Sequence, residues 1–243
     1  MRDLDTRTGG DDPRFRTTLW SDLRRLKDWR TPEGRALLDR LLMQYWKPVY
    51  AYARTRWGKS NEDAKDLTQD FFAMLMERGS LETVDPARGR FRQFLKTSLE
   101  HFLIDEQRSA TRQKRGGRTR RFQLDPDLPV VADVASPDEA FDREWTRGLL
   151  AWGVGALREK MASHGKTAAF ECFRECDVEP GPAGPPSYAE LAKRHGISES
   201  DVRNGLHQAR ALFRVIVRQK VAEYAVDESD LLSELRDLFD KGR

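Results

Sequence analysis

Apolar residues recur along this chain at spacings of three and four, the period of an amphipathic helix, in nearly every segment between its glycine- and proline-rich breaks. Thr18 to Trp29 reads as a first helix. From Pro32 to Trp57, Leu37, Leu38, Leu41, Leu42, Tyr45, Trp46, Val49, Tyr50 and Tyr52 build a broad apolar face, with Thr31 as cap and Pro32 in the first helical position. Pro48 predicts a bend, because a mid-helix proline removes one hydrogen bond and crowds the preceding turn. Asn61 predicts the cap of a third helix reaching Glu77, and Phe91 to Arg108 a fourth. The stretch from Arg115 to Ser136, rich in Gly, Arg, Pro and Asp, breaks the pattern and reads as a linker able to span about 70–80 Å at full extension. Helices resume over Pro137 to Met161 and Lys166 to Cys176, and a Pro/Gly loop runs from Pro180 to Pro186. No segment alternates convincingly with the period of a strand and no repeat is present, so the predicted class is all α.

Ser187 to Arg218 carries the densest signal. Ser187 caps a short helix with Glu190 completing a capping box, Tyr188, Leu191 and Ala192 face inward, and Gly196 ends the helix in a left-handed conformation. Ser198 caps a second helix whose buried side is Val202, Leu206, Ala209, Leu212, Phe213 and Ile216, with Ile197 plugging the angle between the two. Arg203, Asn204, His207, Gln208 and Arg210 face out. Arg, Asn and Gln suit base edges in the major groove, and the first turns of such a helix are the part that enters it. The alternative is an ordinary amphipathic pair with a solvated basic face.

Charge is unevenly distributed over the 243 residues, 34% of which are charged for a net charge of only +3. Arg108 to Arg121 holds seven Arg or Lys and no acid, whereas Asp227 to Asp240 holds six acids against Arg236 alone. Cys172 and Cys176, with His164 upstream, fall short of the four ligands of a structural zinc site, so reduced thiols and no metal are expected. No apolar run approaches the length needed to cross a membrane, and the charged N-terminus does not have the form of a signal peptide, so a cytoplasmic protein is expected.

In the N-terminal half, Asp63, Asp66 and Asp70 lie on neighbouring turns beside Phe and Met residues. Such a stripe fits docking onto a basic partner helix, but by itself it reads first as a solvated acidic face favoured by the helix dipole. The following segment interleaves Arg88, Arg90, Arg92, Lys96, Arg108, Arg112, Lys114 and Arg115 with Phe91, Phe94, His101 and Phe102. Cations hold phosphates and rings stack on unpaired bases, a combination suited to single-stranded nucleic acid, although most of the Phe residues are expected in the core.

TTLWSDL from Thr17, YWKPVYAYAR from Tyr45, NEDAKDLTQDFF from Asn61, RGRFRQFLKTSLEHFL from Arg88 and the Ser187 to Arg218 segment together resemble, in order, the extracytoplasmic-function (ECF) sigma factors of bacterial RNA polymerase, within the sigma-70 family. The likeness covers Thr17 to Lys220. It implies a non-catalytic promoter-specificity subunit without cofactor, built as two small helical domains: a variable 1–16, a domain at 17–114 for the polymerase clamp and −10 element, a linker at 115–136, a helix-turn-helix domain at 137–225 for the flap and −35 element, and an acidic amphipathic tail at 226–243. By position, the resemblance gives Asp63, Asp66, Gln69, Asp70 and Phe71 to the clamp and Arg90, Arg92, Lys96, His101, Arg108 and Arg112 to the melted −10 strand. It gives Arg203, Asn204, His207, Gln208 and Arg210 to the −35 duplex, with Ser198 and Ser200 as phosphate contacts.

This chain departs from the pattern where Lys65 replaces an acid, His101 an Asn, and Asp201 and Gly205 a Thr and an Arg; a mid-helix Gly costs about 1 kcal/mol. Core RNA polymerase and promoter DNA are the implied partners, and control by an anti-sigma factor or a kinase is compatible with the sequence. A phosphate on Thr68 would add charge to the acidic stripe. In the tail, Leu231, Leu232, Leu235, Leu238 and Phe239 would form one face, packed on the C-terminal domain or folded over a basic DNA surface. A stand-alone helix-turn-helix regulator is the rival reading, though it leaves the basic, aromatic N-terminal helix without a purpose. A metal-dependent nuclease could use the three aspartates, but no His cluster, phosphate loop or nucleophile pair accompanies them.

Overall fold

The computed structural model describes residues 31–77, 91–115, 136–225 and 227–240, so the predicted helix at Thr18 to Trp29 and the body of the linker lie outside the described residues. Among the described residues the fold is all α, with α1 Pro32–Trp57, α2 Asn61–Glu77, α3 Phe91–Arg115, α4 Pro137–Ser163, α5 Thr167–Phe173, α6 Tyr188–His195, α7 Glu199–Ala222 and α8 Glu228–Asp240. A single turn of π-helix, Arg174–Val178, follows α5, and Gly181 and Gly184 form an isolated bridge. The chain divides into two compact units, one holding α1 to α3 with α4 as far as Gly148, the other holding α4 from Leu149 through α7 and, beyond Tyr224–Asp230, the rest of α8.

In the first unit α1 starts as its sequence dictates, the Thr31 hydroxyl accepting from the Gly34 N–H at 3.1 Å with Pro32 in the first turn, and it continues as helix through Pro48. The cap of α2 is Ser60, not Asn61: the Ser60 hydroxyl accepts from the Asp63 N–H at 3.1 Å. Asn61 already lies in the helix and its side chain accepts from the Tyr50 hydroxyl at 2.6 Å, tying α2 to α1. The core is a stack of rings and leucines. Tyr45 meets Phe91 edge-on at 5.4 Å and Phe141 at 6.3 Å, while Leu95, Leu99 and Leu103 continue from Phe91 every fourth residue along α3, all buried.

The second unit packs Leu157 and Met161 of α4, Phe170, Cys172 and Phe173 of α5, Leu191 and Ala192 of α6, and Val202, Leu206, Ala209 and Ile216 of α7 around one core. Gly205 explains its own presence there. A Cβ at this position would fall 2.7 Å from the Ala169 Cβ, so the absent side chain is what lets α5 and α7 approach. Cys172 is fully buried and burial pushes its thiol pKa up, as it does for half-buried Cys176. His164 lies against the Lys160 carbonyl at 2.7 Å, in the turn that ends α4. In α8, Leu231 and Leu238 are buried with Glu234, whereas Leu232, expected on the same face, is exposed.

Candidate nucleic-acid interface

The α6–α7 pair is assembled by local chemistry. Ser187 and Glu190 exchange a reciprocal capping box, with the Ser187 N–H donating to Glu190 Oε2 at 2.8 Å and the Glu190 N–H to Ser187 Oγ at 3.3 Å. Gly196 ends α6 at φ 66°. Ser198 and Asp201 repeat the box at the start of α7, at 3.2 and 3.1 Å. The Ser187 backbone N–H and hydroxyl hold the Glu190 carboxyl below its ordinary pKa, and the Ser198 hydroxyl and N–H do the same for Asp201. Asp201 is thus the reciprocal half of a helix cap, and the Ser198 hydroxyl, expected at a phosphate, already donates to the Asp201 carboxylate at 2.6 Å.

Of the residues expected on the outer face of α7, Arg203, Asn204 and His207 stand exposed, as does Ser200 before them. Two others are engaged. Gln208 Oε1 accepts from the Lys166 ammonium at 2.8 Å, and Arg210 makes a two-pronged pair with Asp177, Nε to Oδ2 and Nη2 to Oδ1, both at 3.0 Å. Lys166 and Asp177 lie 42 and 33 residues from their partners. Local periodicity carries no sign of either contact.

The basic face of α3 is also partly committed. Lys96, only 11% exposed, sits between Asp138 at 3.2 Å and Asp142 at 3.1 Å in the first turns of α4. The Arg92 guanidinium lies 4.6 Å over the Trp145 ring, a contact worth about 0.5–1 kcal/mol at a partly exposed site. His101 and Arg108 are exposed, Arg108 facing Asp105 at 3.6 Å. Arg90 and the Arg112 side chain lie outside the described residues. As expected the rings are largely structural: Phe91 is buried, Phe94 stacks on it at 5.9 Å, and Phe102 meets Phe71 at 5.7 Å. Sequence reasoning missed Asp138, Asp142 and Trp145. An acidic first turn on α4 looks like ordinary dipole compensation, and only the fold brings it to Lys96.

On α2, Asp66, Gln69 and Asp70 form an exposed stripe, with half-exposed Asp63 accepting from the Ser60 hydroxyl at 2.8 Å. Lys65 leans to Glu62 at 3.3 Å. Phe71, expected on this face, instead points into the core with no exposed surface. Thr68 is fully buried as well, and its hydroxyl donates to the Ala64 carbonyl at 2.7 Å. A kinase has no access to it in this fold. Helical phase explains both corrections: Ala64, Thr68, Phe71 and Leu75 are spaced four, three and four apart and make the inward stripe.

Among the described residues no group of three or more His, Cys, Asp and Glu side chains could hold a metal ion, and no helix is long and apolar enough to cross a membrane. Residues 41–113, which run from the third turn of α1 through α2 and most of α3, match the family model for Sigma-70 region 2. No curated protein and no solved structure matches the chain.

Proposed function

We propose that this chain, a sigma-70 family sigma factor by the region 2 in its residues 41–113, is an alternative sigma factor of the ECF kind, a cytoplasmic, non-catalytic subunit that joins core RNA polymerase and directs it to promoters. The match of residues 41–113 to Sigma-70 region 2 carries the reading. In this reading Asp63, Asp66, Gln69 and Asp70 meet the polymerase clamp, and opposite charge sets the rate and specificity of that encounter. His101 and Arg108 face the melted −10 strand, where holding an extruded base offsets the few kcal/mol of unstacking. Arg203, Asn204 and His207 read the −35 duplex, with Ser200 at a phosphate. The domain limits follow the same reading, 17–114 for clamp and −10, 137–225 for flap and −35.

The roles separate by substitution. Asp66→Ala is expected to weaken binding to core polymerase about three- to tenfold, more at low salt than at high, and to leave promoter preference unchanged. Arg203→Ala is expected to leave polymerase affinity unchanged and to cost about 1–3 kcal/mol of discrimination at one −35 position. Equilibrium binding to labelled core polymerase and transcription from promoters varied in the −35 element measure the two. A shift in promoter preference by Asp66→Ala with unchanged polymerase affinity would overturn the assignment of α2.

A further inference from the structure

The π-helical turn after α5 is braced from three sides. Its ring is closed by the Glu179 N–H donating to the Arg174 carbonyl at 2.8 Å, five residues back, and the Arg174 guanidinium bonds Glu171 at 2.8 Å and Glu179 at 2.6 Å. The turn then presents two carboxylates to the α6–α7 pair. Glu175 takes Arg194 and, at 2.9 Å, His195, the last two residues of α6 before the Gly196 turn, and Glu175 and His195 are only 15% and 16% exposed. Asp177 takes Arg210 of α7 in the two-pronged pair.

We propose that Asp177 sets the DNA affinity of the α6–α7 pair: it withdraws the Arg210 charge from the phosphates and lowers binding to every duplex alike, while discrimination rests on Arg203, Asn204 and His207. Arg210 lies about two helical turns beyond Arg203 on α7, where a helix whose first turns enter the groove comes abreast of the sugar-phosphate backbone. A free guanidinium there would bind any phosphate, adding affinity without sequence information. Planar pairing with a carboxylate that is itself fixed on a braced turn satisfies both prongs of the guanidinium and cancels its charge. The π-turn thus orients the helix pair through Glu175 and, through Asp177, keeps one arginine from raising the background of non-specific binding.

The inference rests on the reading of α7 as a duplex-binding helix, and the test distinguishes failure of one from failure of the other. Full-length chain is titrated with a mixed-sequence duplex and with a duplex bearing its preferred site, selected from random sequence, over a range of salt. Asp177→Asn, which keeps the shape and removes the charge, is expected to steepen the fall of log K with log salt by about 0.9, the signature of one further phosphate neutralised, and to tighten binding to both duplexes by a similar factor, leaving the preference for the selected site within about twofold of its original value. Arg210→Gln alone, which leaves the Asp177 carboxylate uncompensated beside the backbone, is expected to weaken binding to both duplexes by a similar factor without changing the preference between them, and Asp177→Asn with Arg210→Gln to restore the original salt dependence. An unchanged slope in Asp177→Asn, or a loss of preference for the selected site in Arg210→Gln as large as that in Arg203→Gln, overturns the role of Asp177 while leaving α7 as the reader. Absence of duplex binding by the unmodified chain, or indifference to Arg203→Gln, overturns the reading of α7 and this role with it.

Discussion

Phe71→Ala is expected to cost about 3–5 kcal/mol of unfolding free energy, the usual penalty for truncating a buried aromatic ring. Phe71 has no exposed surface and its ring meets Phe72 at 5.5 Å and Phe102 at 5.7 Å, so α2 is anchored to α3 through it. Domains are stable by only about 5–15 kcal/mol, so this single truncation takes a large share of what holds the unit together. Asp70, its neighbour in sequence, is exposed, and Asp70→Ala is expected to change stability by less than about 0.5 kcal/mol. Urea unfolding of the two variants checks the contrast. Polymerase binding lost in Phe71→Ala would then be lost through the fold of the helix, and a Phe71→Ala chain as stable as the parent would return this ring to the surface.

Gly205→Ala is the second large effect, and its sign opposes helix propensity. In an exposed helix the substitution stabilises by about 1 kcal/mol, because Ala restricts the unfolded chain and solvates less backbone. Here the new methyl would lie 2.7 Å from the Ala169 Cβ and 3.4 Å from its Cα, atoms that no rotamer change can move aside. The helices α5 and α7 must separate, and overpacking of this kind costs about 1–3 kcal/mol. A net loss of stability is therefore expected, seen as a lower urea midpoint with an unchanged slope. Removing the opposing methyl in Gly205→Ala with Ala169→Gly is expected to recover most of it. A raised midpoint in Gly205→Ala would show that the two helices do not approach this closely.

These two residues also mark where sequence stops being informative. Helix starts were legible wherever chemistry is local: Thr31 with Pro32, Ser187 with Glu190, and Ser198 all sit where their capping pattern puts them, and Gly196 ends α6 with the left-handed φ its position requires. At α2 the adjacent Ser60 and Asn61 are both competent caps, and the choice is made by Tyr50, eleven residues away in the chain, which engages Asn61. Phe71 faces inward, one residue of helical phase from exposed Asp70. Gly205 reads as a propensity defect from its own helix alone, because Ala169, the residue it makes room for, belongs to another.

The candidate surface divides in the same way. Exposure of Arg203, Asn204, His207, Asp66 and Asp70 follows from amphipathic phase, which a single helix sets for itself. The partners that engage Gln208, Arg210 and Lys96 come from 33 to 46 residues away. Polar side chains pair across such distances without any periodic mark in the sequence. Charge counting therefore overstates the cations available to DNA, on α7 by Arg210 and on α3 by Lys96.

Run-off transcription on fragmented genomic DNA from the source organism, with core RNA polymerase in the presence and absence of this chain, tests the central claim most directly. Discrete new start sites are expected only when both are present, with upstream sequences that align into shared −10 and −35 elements. No new starts, together with tight sequence-specific duplex binding by the chain alone, would contradict a sigma factor and leave a stand-alone helix-turn-helix regulator.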